Sequence, residues 1–235
     1  MIPMTTSSAP TKAAAASGFN QNFKNMDITT FNNLKFYFGL IRPEKNIIFV
    51  FGSNPEGRHG LGSAKIAREQ FGAIYGQGEG LQGNSYALPT KDLRIKKNNA
   101  LRSIAPQQIQ KSIEKLISVA NAHPEKLFCV AYTNTSKPSL NGYTGQEMAD
   151  MFIAAFNSVG MPVNQNIVFS ENWKGYFVTP IHILEDWWRH NGLCARERAS
   201  GLPRDDDYLN TTDEWWRQLS HEEKDAVYTE YFSET

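Results

Sequence analysis

Cysteine is nearly absent from this sequence, and so is any excess of charge. Only Cys129 and Cys194 occur in 235 residues, so neither a disulfide framework nor a zinc quartet at ligand spacing can be drawn. Cys129 lies in the apolar run Leu127-Phe128-Cys129-Val130-Ala131, where a thiol packs as a small buried hydrophobe. The 24 basic and 24 acidic side chains cancel. This removes the general field that draws a protein to duplex nucleic acid or to an anionic membrane. No apolar run approaches the roughly 18 residues of a membrane span. Residues 1–20, mostly Ala, Ser, Thr and Pro, lack the basic and apolar regions of a secretion signal. The cytoplasm is the expected location, and nothing in the composition asks for a metal or a cofactor.

What is present falls into three stretches. Residues 1–25 are of low complexity and are expected to be disordered. Residues 26–170 alternate strand and helix signals. Phe31, Phe36, Tyr37 and Phe38 mark a short extra element, and Ile47-Ile48-Phe49-Val50-Phe51 reads as a buried strand ended by Gly52. Residues 63–71 read as a helix closed by Gly72. Residues 73–75 and 85–88 read as two short strands joined by a glycine-dense link. Pro106 opens a helix with Ile109, Ile113, Leu116, Ile117 and Ala120 on one face. Residues 127–132 and 166–169 form further strands. Thr144 and Glu147 fit a capping box for a helix carrying Met148, Met151, Phe152, Ala155 and Phe156. The alternation predicts an α/β layered fold with helices on both faces of a mainly parallel sheet.

Residues 171–235 differ. They hold Trp173 and the pairs Trp187-Trp188 and Trp215-Trp216, and from Asp205 onward ten acids face only Arg217 and Lys224. Ser220 with Glu223 predicts a helix over 221–232 in a mainly helical, acidic extension. Asp186-Trp187-Trp188-Arg189 and Glu214-Trp215-Trp216-Arg217 echo each other, but four residues twice do not make a repeat. The aromatics are expected to pack the extension on the core or on a partner subunit.

The turn after the first strand is richest in chemistry: Gly52-Ser53-Asn54-Pro55-Glu56-Gly57-Arg58-His59-Gly60-Leu61-Gly62-Ser63-Ala64-Lys65. A glycine-rich turn that leaves a strand and opens a helix lets backbone N–H groups approach a phosphate. Ser63-Ala64 stands where an NTPase loop needs Lys then Ser or Thr, and Lys65 stands where the dinucleotide fingerprint needs a small residue. ATPase and dehydrogenase are thus disfavoured. Spacing alone leaves a phosphate site and a structural turn both open.

Asn54 followed by Gly57-Arg58-His59-Gly60-Leu61-Gly62-Ser63-Ala64 resembles the first ligand loop of the macrodomain superfamily, which binds ADP-ribose. Tyr86-Ala87-Leu88-Pro89-Thr90-Lys91 is similar to the strand and lysine of the branch that removes ADP-ribose from acidic side chains. Pro138 to Tyr143 falls where the second ligand loop belongs. Gly76-Gln77-Gly78-Glu79-Gly80-Leu81-Gln82-Gly83 resembles a stretch in uncharacterised bacterial and phage relatives. The likeness covers residues 47–169, about half the chain, and implies a three-layer α/β/α fold with a mixed, mainly parallel sheet.

The resemblance implies roles residue by residue. Asn54 would hydrogen-bond the distal ribose. Gly57, Arg58, Gly60, Leu61 and Gly62 would wrap ribose and phosphate, while Ser139, Asn141, Gly142 and Tyr143 close over the pyrophosphate. Lys91 would be the nucleophile, provided it is neutral. Asn141 stands where that branch has its acid/base Asp, and Asp92, next to Lys91 on a strand, points the other way. His59 could activate water for a phosphatase, or brace the turn. Arg94, Lys96, Lys97 and Arg102 could touch RNA or be a solvated loop. The expected partners are ADP-ribose or a related small nucleotide and, through it, an ADP-ribosylated protein. Duplex nucleic acid and membrane are not expected. Three functions stay open: a hydrolase, a non-catalytic reader or sponge of a nucleotide signal, and an interaction protein acting through its tail.

Overall fold

The computed structural model describes residues 26–31, 34–131, 139–159, 166–179, 181–191, 193–202 and 207–233. The tail at 1–25, Tyr132 and Pro138 lie outside them. Seven strands form one sheet. In chain order they are β1 (Ile28–Phe31), β2 (Leu34–Tyr37), β3 (Ile47–Ser53), β4 (Gly80–Gln82), β5 (Ser85–Pro89), β6 (Leu127–Val130) and β7 (Ile167–Ser170). Across the sheet the order is β1-β2-β7-β6-β3-β5-β4. The five inner strands run parallel, and the edge strands β1 and β4 are antiparallel to their neighbours. The sheet is therefore mixed and mainly parallel.

Period-two alternation sorts the side chains of β3 to two faces. Ile48 and Val50 join Phe128, Val130 and Phe169 on one face. There they meet α2 (Pro106–Ala122) and α3 (Gly145–Val159) through Ile109, Ile113, Leu116, Phe152 and Ala155. Phe49 and Phe51 face the other way, against α1 (Gly62–Gln70), where Phe49 stacks on Phe71 at 4.5 Å. Each such fully buried Phe or Ile stabilises the fold by about 1.5–3 kcal/mol. The box at α3 closes as the spacing predicts: Thr144 N donates to Glu147 Oε2 at 2.8 Å, and Glu147 N to Thr144 Oγ1 at 3.2 Å.

One strand is elsewhere than its sequence suggests. Residues 73–75 are not extended in the sheet, and the edge strand is β4, inside the glycine-dense link. Buried Gln82 explains the exchange. Its Oε1 accepts from Ile74 N at 2.5 Å and its Nε2 donates to Gln77 O at 3.1 Å, so the 74–77 backbone is held by a side chain rather than by a ladder.

The C-terminal part has its own core. Trp173, set apart by composition, packs with Phe152 and Phe169 under the sheet. Helices α4 (Ile181–His190), α5 (Leu193–Ser200), α6 (Tyr208–Gln218) and α7 (His221–Ser233) instead surround Leu184, Trp188 and Trp216. The expectation for the tryptophan pairs is packing on the core or on a partner subunit; within this chain they pack on one another. Links to that domain are polar: Lys174 to Glu222 at 2.7 Å, and Thr179 N to Asp225 at 2.7 Å.

Candidate functional site

The carboxyl ends of β3, β5 and β6 converge beneath a pocket of about 400 Å³. This is where parallel sheets bind ligands, because the connection leaving β3 goes to α1 on one face while those leaving β5 and β6 go to α2 and α3 on the other. Val50, Leu88, Val130, Met148, Phe152 and Trp173 give an apolar floor. One wall is the turn after β3 with the start of α1, and the other is residues 139–145. Lys91 follows β5 and donates its Nζ to the Leu140 carbonyl at 2.8 Å, tying that strand end to the second wall.

The first wall is electropositive by construction. Helix geometry leaves the first-turn N–H groups without intrahelical acceptors. No side chain caps α1 and no acid sits in its first turn. Gly60, Leu61, Gly62, Ser63 and Ala64 all line the pocket, so these donors and the positive end of the helix dipole border it. Arg58 and Lys91 are the only charged side chains among the described lining residues, which include no carboxylate and no imidazole. The 132–138 sequence contains neither group.

Asn54 lines the pocket and also folds its own turn. Its Nδ2 donates to Arg58 O at 2.9 Å, and its Oδ1 accepts from Arg58 N at 3.0 Å. Behind the turn lies the glycine-dense stretch. Gly57 has φ +63°, and a Cβ there would collide with the Gly76 and Gln77 backbone; one on Gly78 would strike the Asn54 and Pro55 carbonyls. Only glycines allow this approach, so residues 76–78 are the buttress of the first wall.

His59 does not line the pocket. It is fully buried behind Ser53, edge-on to Phe51 at 4.9 Å, with Nε2 3.2 Å from Ser53 Oγ. Burial, helped by the charge of Arg68, holds its pKa below the ordinary imidazole value. Its Nδ1 is buried without a hydrogen-bond partner. A buried orphan N–H is rarer than an orphan acceptor, which favours the tautomer with Nε2–H donating to Ser53. The Ser53 hydroxyl then donates to the Asn54 carbonyl at 3.4 Å, and Ser53 does line the pocket.

The second wall is braced internally. Asn141 Oδ1 accepts from Tyr143 N at 2.9 Å and from Ser139 Oγ, while Asn141 O accepts from Arg102 N at 2.7 Å. Tyr143 donates its hydroxyl to Ile104 O at 2.7 Å and lies under the Arg102 guanidinium. Of the residues singled out from the sequence, Asn54, Arg58, Gly60, Leu61, Gly62, Lys91, Ser139, Asn141 and Tyr143 line the pocket, whereas Gly57, His59 and Gly142 stand outside its lining. Sequence reasoning missed Ser53, Ser63, Thr90 and Trp173. Ser53 ends β3 and Thr90 directly follows β5, positions that could have flagged them.

Fold and site thus define an α/β protein with an anion-favouring pocket at the strand ends. No family model matches the chain, and no curated protein or solved structure matches it significantly. Among the described residues, no helix is long and apolar enough to cross a membrane, and no cluster of metal-ligating side chains occurs.

Proposed function

We propose that this pocket binds ADP-ribose or an ADP-ribose-derived nucleotide, as the macrodomain resemblance implies. The observation that carries the reading is the lining: among the described residues, two cations, an uncapped helix start and no carboxylate, around an apolar floor. Anions are favoured at such a helix end, and a nucleotide combines an anionic group with flat, apolar rings. The volume of about 400 Å³ lies within the range of small-molecule sites, roughly 300–1,000 Å³.

A non-catalytic reader is favoured over a hydrolase. Proton transfer needs an acid or base within hydrogen-bond reach of the reacting group. The described lining offers neither carboxylate nor imidazole, and Asn141 is occupied in bracing its own loop. Calorimetric titration with ADP-ribose, against AMP and NAD, tests the reading. Micromolar binding of ADP-ribose, tighter than AMP, is expected, without release of ADP-ribose from a modified protein. Absence of heat with all three would sink the nucleotide assignment. Turnover lost in Lys91→Ala would sink the reader.

A further inference from the structure

The tryptophan pairs of the C-terminal bundle are one half of a longer correspondence. At a constant offset of 28 residues, Glu185, Trp187, Trp188, Arg189, Arg196 and Glu197 are matched by Asp213, Trp215, Trp216, Arg217, Lys224 and Asp225. Helices α4 and α5 therefore correspond to α6 and α7.

The contacts obey the same two-fold relation. Trp188 Nε1 donates to Asp213 Oδ1 at 2.7 Å, and Trp216 Nε1 donates to Glu185 Oε2 at 3.2 Å. Arg196 pairs with Asp213 at 2.8 Å, as Lys224 pairs with Glu185 at 2.6 Å. Each cation also lies over the tryptophan of its own half, at 5.1 and 5.3 Å. The Trp188 and Trp216 rings stack at 4.6 Å with planes 1° apart. Two copies of one helical hairpin thus clasp each other as two subunits of a dimer would.

A cavity of about 180 Å³ sits on this pseudo-axis, lined by three matched pairs, Glu185/Asp213, Trp188/Trp216 and Arg189/Arg217, together with Arg196. Both carboxylates are already compensated, Asp213 by Arg196 and Glu185 by Lys224. Neither Arg189 nor Arg217 forms an ion pair with a described residue, although the charge of Arg189 acts through space on Glu185, so both guanidinium forks keep N–H donors for a ligand at the cavity. Arg196 is itself buried, and its Nε has no hydrogen-bond partner. Guanidinium forks match the oxygens of phosphate-like anions.

We infer that residues 181–233 are a tandem duplication of one helical hairpin whose pseudo-two-fold axis carries a second anion site, for a small oxyanion of charge minus two held between Arg189 and Arg217. The site is independent of the strand-end pocket and of any nucleotide. Inorganic phosphate is titrated calorimetrically into the full-length chain carrying Arg58→Gln and Lys91→Gln, which disable the strand-end pocket. One saturable site is expected, and acetate at equal ionic strength should give none. Arg189→Gln should weaken phosphate about tenfold, the loss of one charge-assisted hydrogen bond. Arg217→Gln should weaken it by the same factor, because the residues are equivalent. Both side chains are exposed, and circular dichroism will verify folding. No saturable phosphate heat, equal response to acetate, or dependence on one arginine but not the other overturns the site.

Discussion

Asn54 uses one amide N–H and one lone pair on Arg58, so one of each remains for a ligand. Asn54→Ala should lower stability by about 2 kcal/mol, roughly 1 for each lost hydrogen bond, and weaken ADP-ribose as well. Urea denaturation and calorimetry on the same variant separate these effects, and unchanged affinity would remove Asn54 from the site. His59 makes a prediction about pH. Its folded pKa is depressed by burial and Arg68 below the ordinary 6.5, so between those two values the unfolded chain binds more protons. Stability linked to His59 is complete above about pH 6.5 and falls as pH drops toward the depressed value. The slope of urea stability against pH in that window should flatten in His59→Gln; an unchanged slope would place the linkage on other groups. The lining residues legible in advance, Asn54, Arg58, Gly60 and Lys91 among them, lie in loops marked by their glycines and cations. Ser53 and Thr90 were not, because pocket membership depends on where a strand ends against its neighbours, which one strand's periodicity does not contain.

The turn after β3 keeps its shape because residues 76–78 press against it from behind. Gly78→Ala should force the Asn54 and Pro55 carbonyls away, destabilising by about 1–3 kcal/mol as overpacking does and weakening nucleotide binding, although residue 78 does not line the pocket. A thermal melt paired with titration checks it; lost stability with intact affinity would show that the wall yields without the site. Strands and helices with clean periodicity, β3, α2, β6 and α3, were readable from the sequence. The strand expected at 73–75 was not, since Gln82 replaces ladder bonds there with side-chain bonds. Propensity of Ala73-Ile74-Tyr75 carries no information about a clasp that reaches Ile74 from eight positions away.

Besides the packing on the two faces of the sheet, the described residues hold a second core among the paired tryptophans. Trp216→Ala should cost about 3–5 kcal/mol in the second core while leaving the affinity of the strand-end pocket unchanged, as measured by urea denaturation followed by the helical circular dichroism signal and by nucleotide titration. A parallel loss of affinity would mean that the helical bundle supports the pocket. The second core was hard to foresee because its logic lies between segments. Each motif completes the other's hydrogen bonds, so neither reads as meaningful alone.

That reciprocity also sets how the bundle melts. Every clasp takes its acid from one hairpin and its indole and cation from the other, so an isolated hairpin would hold only broken halves. Their meeting relies on the intervening peptide, which keeps them at an effective concentration in the millimolar range. A chain nicked between α5 and α6 would turn that unimolecular encounter into a bimolecular one, and its melting temperature would then rise with protein concentration.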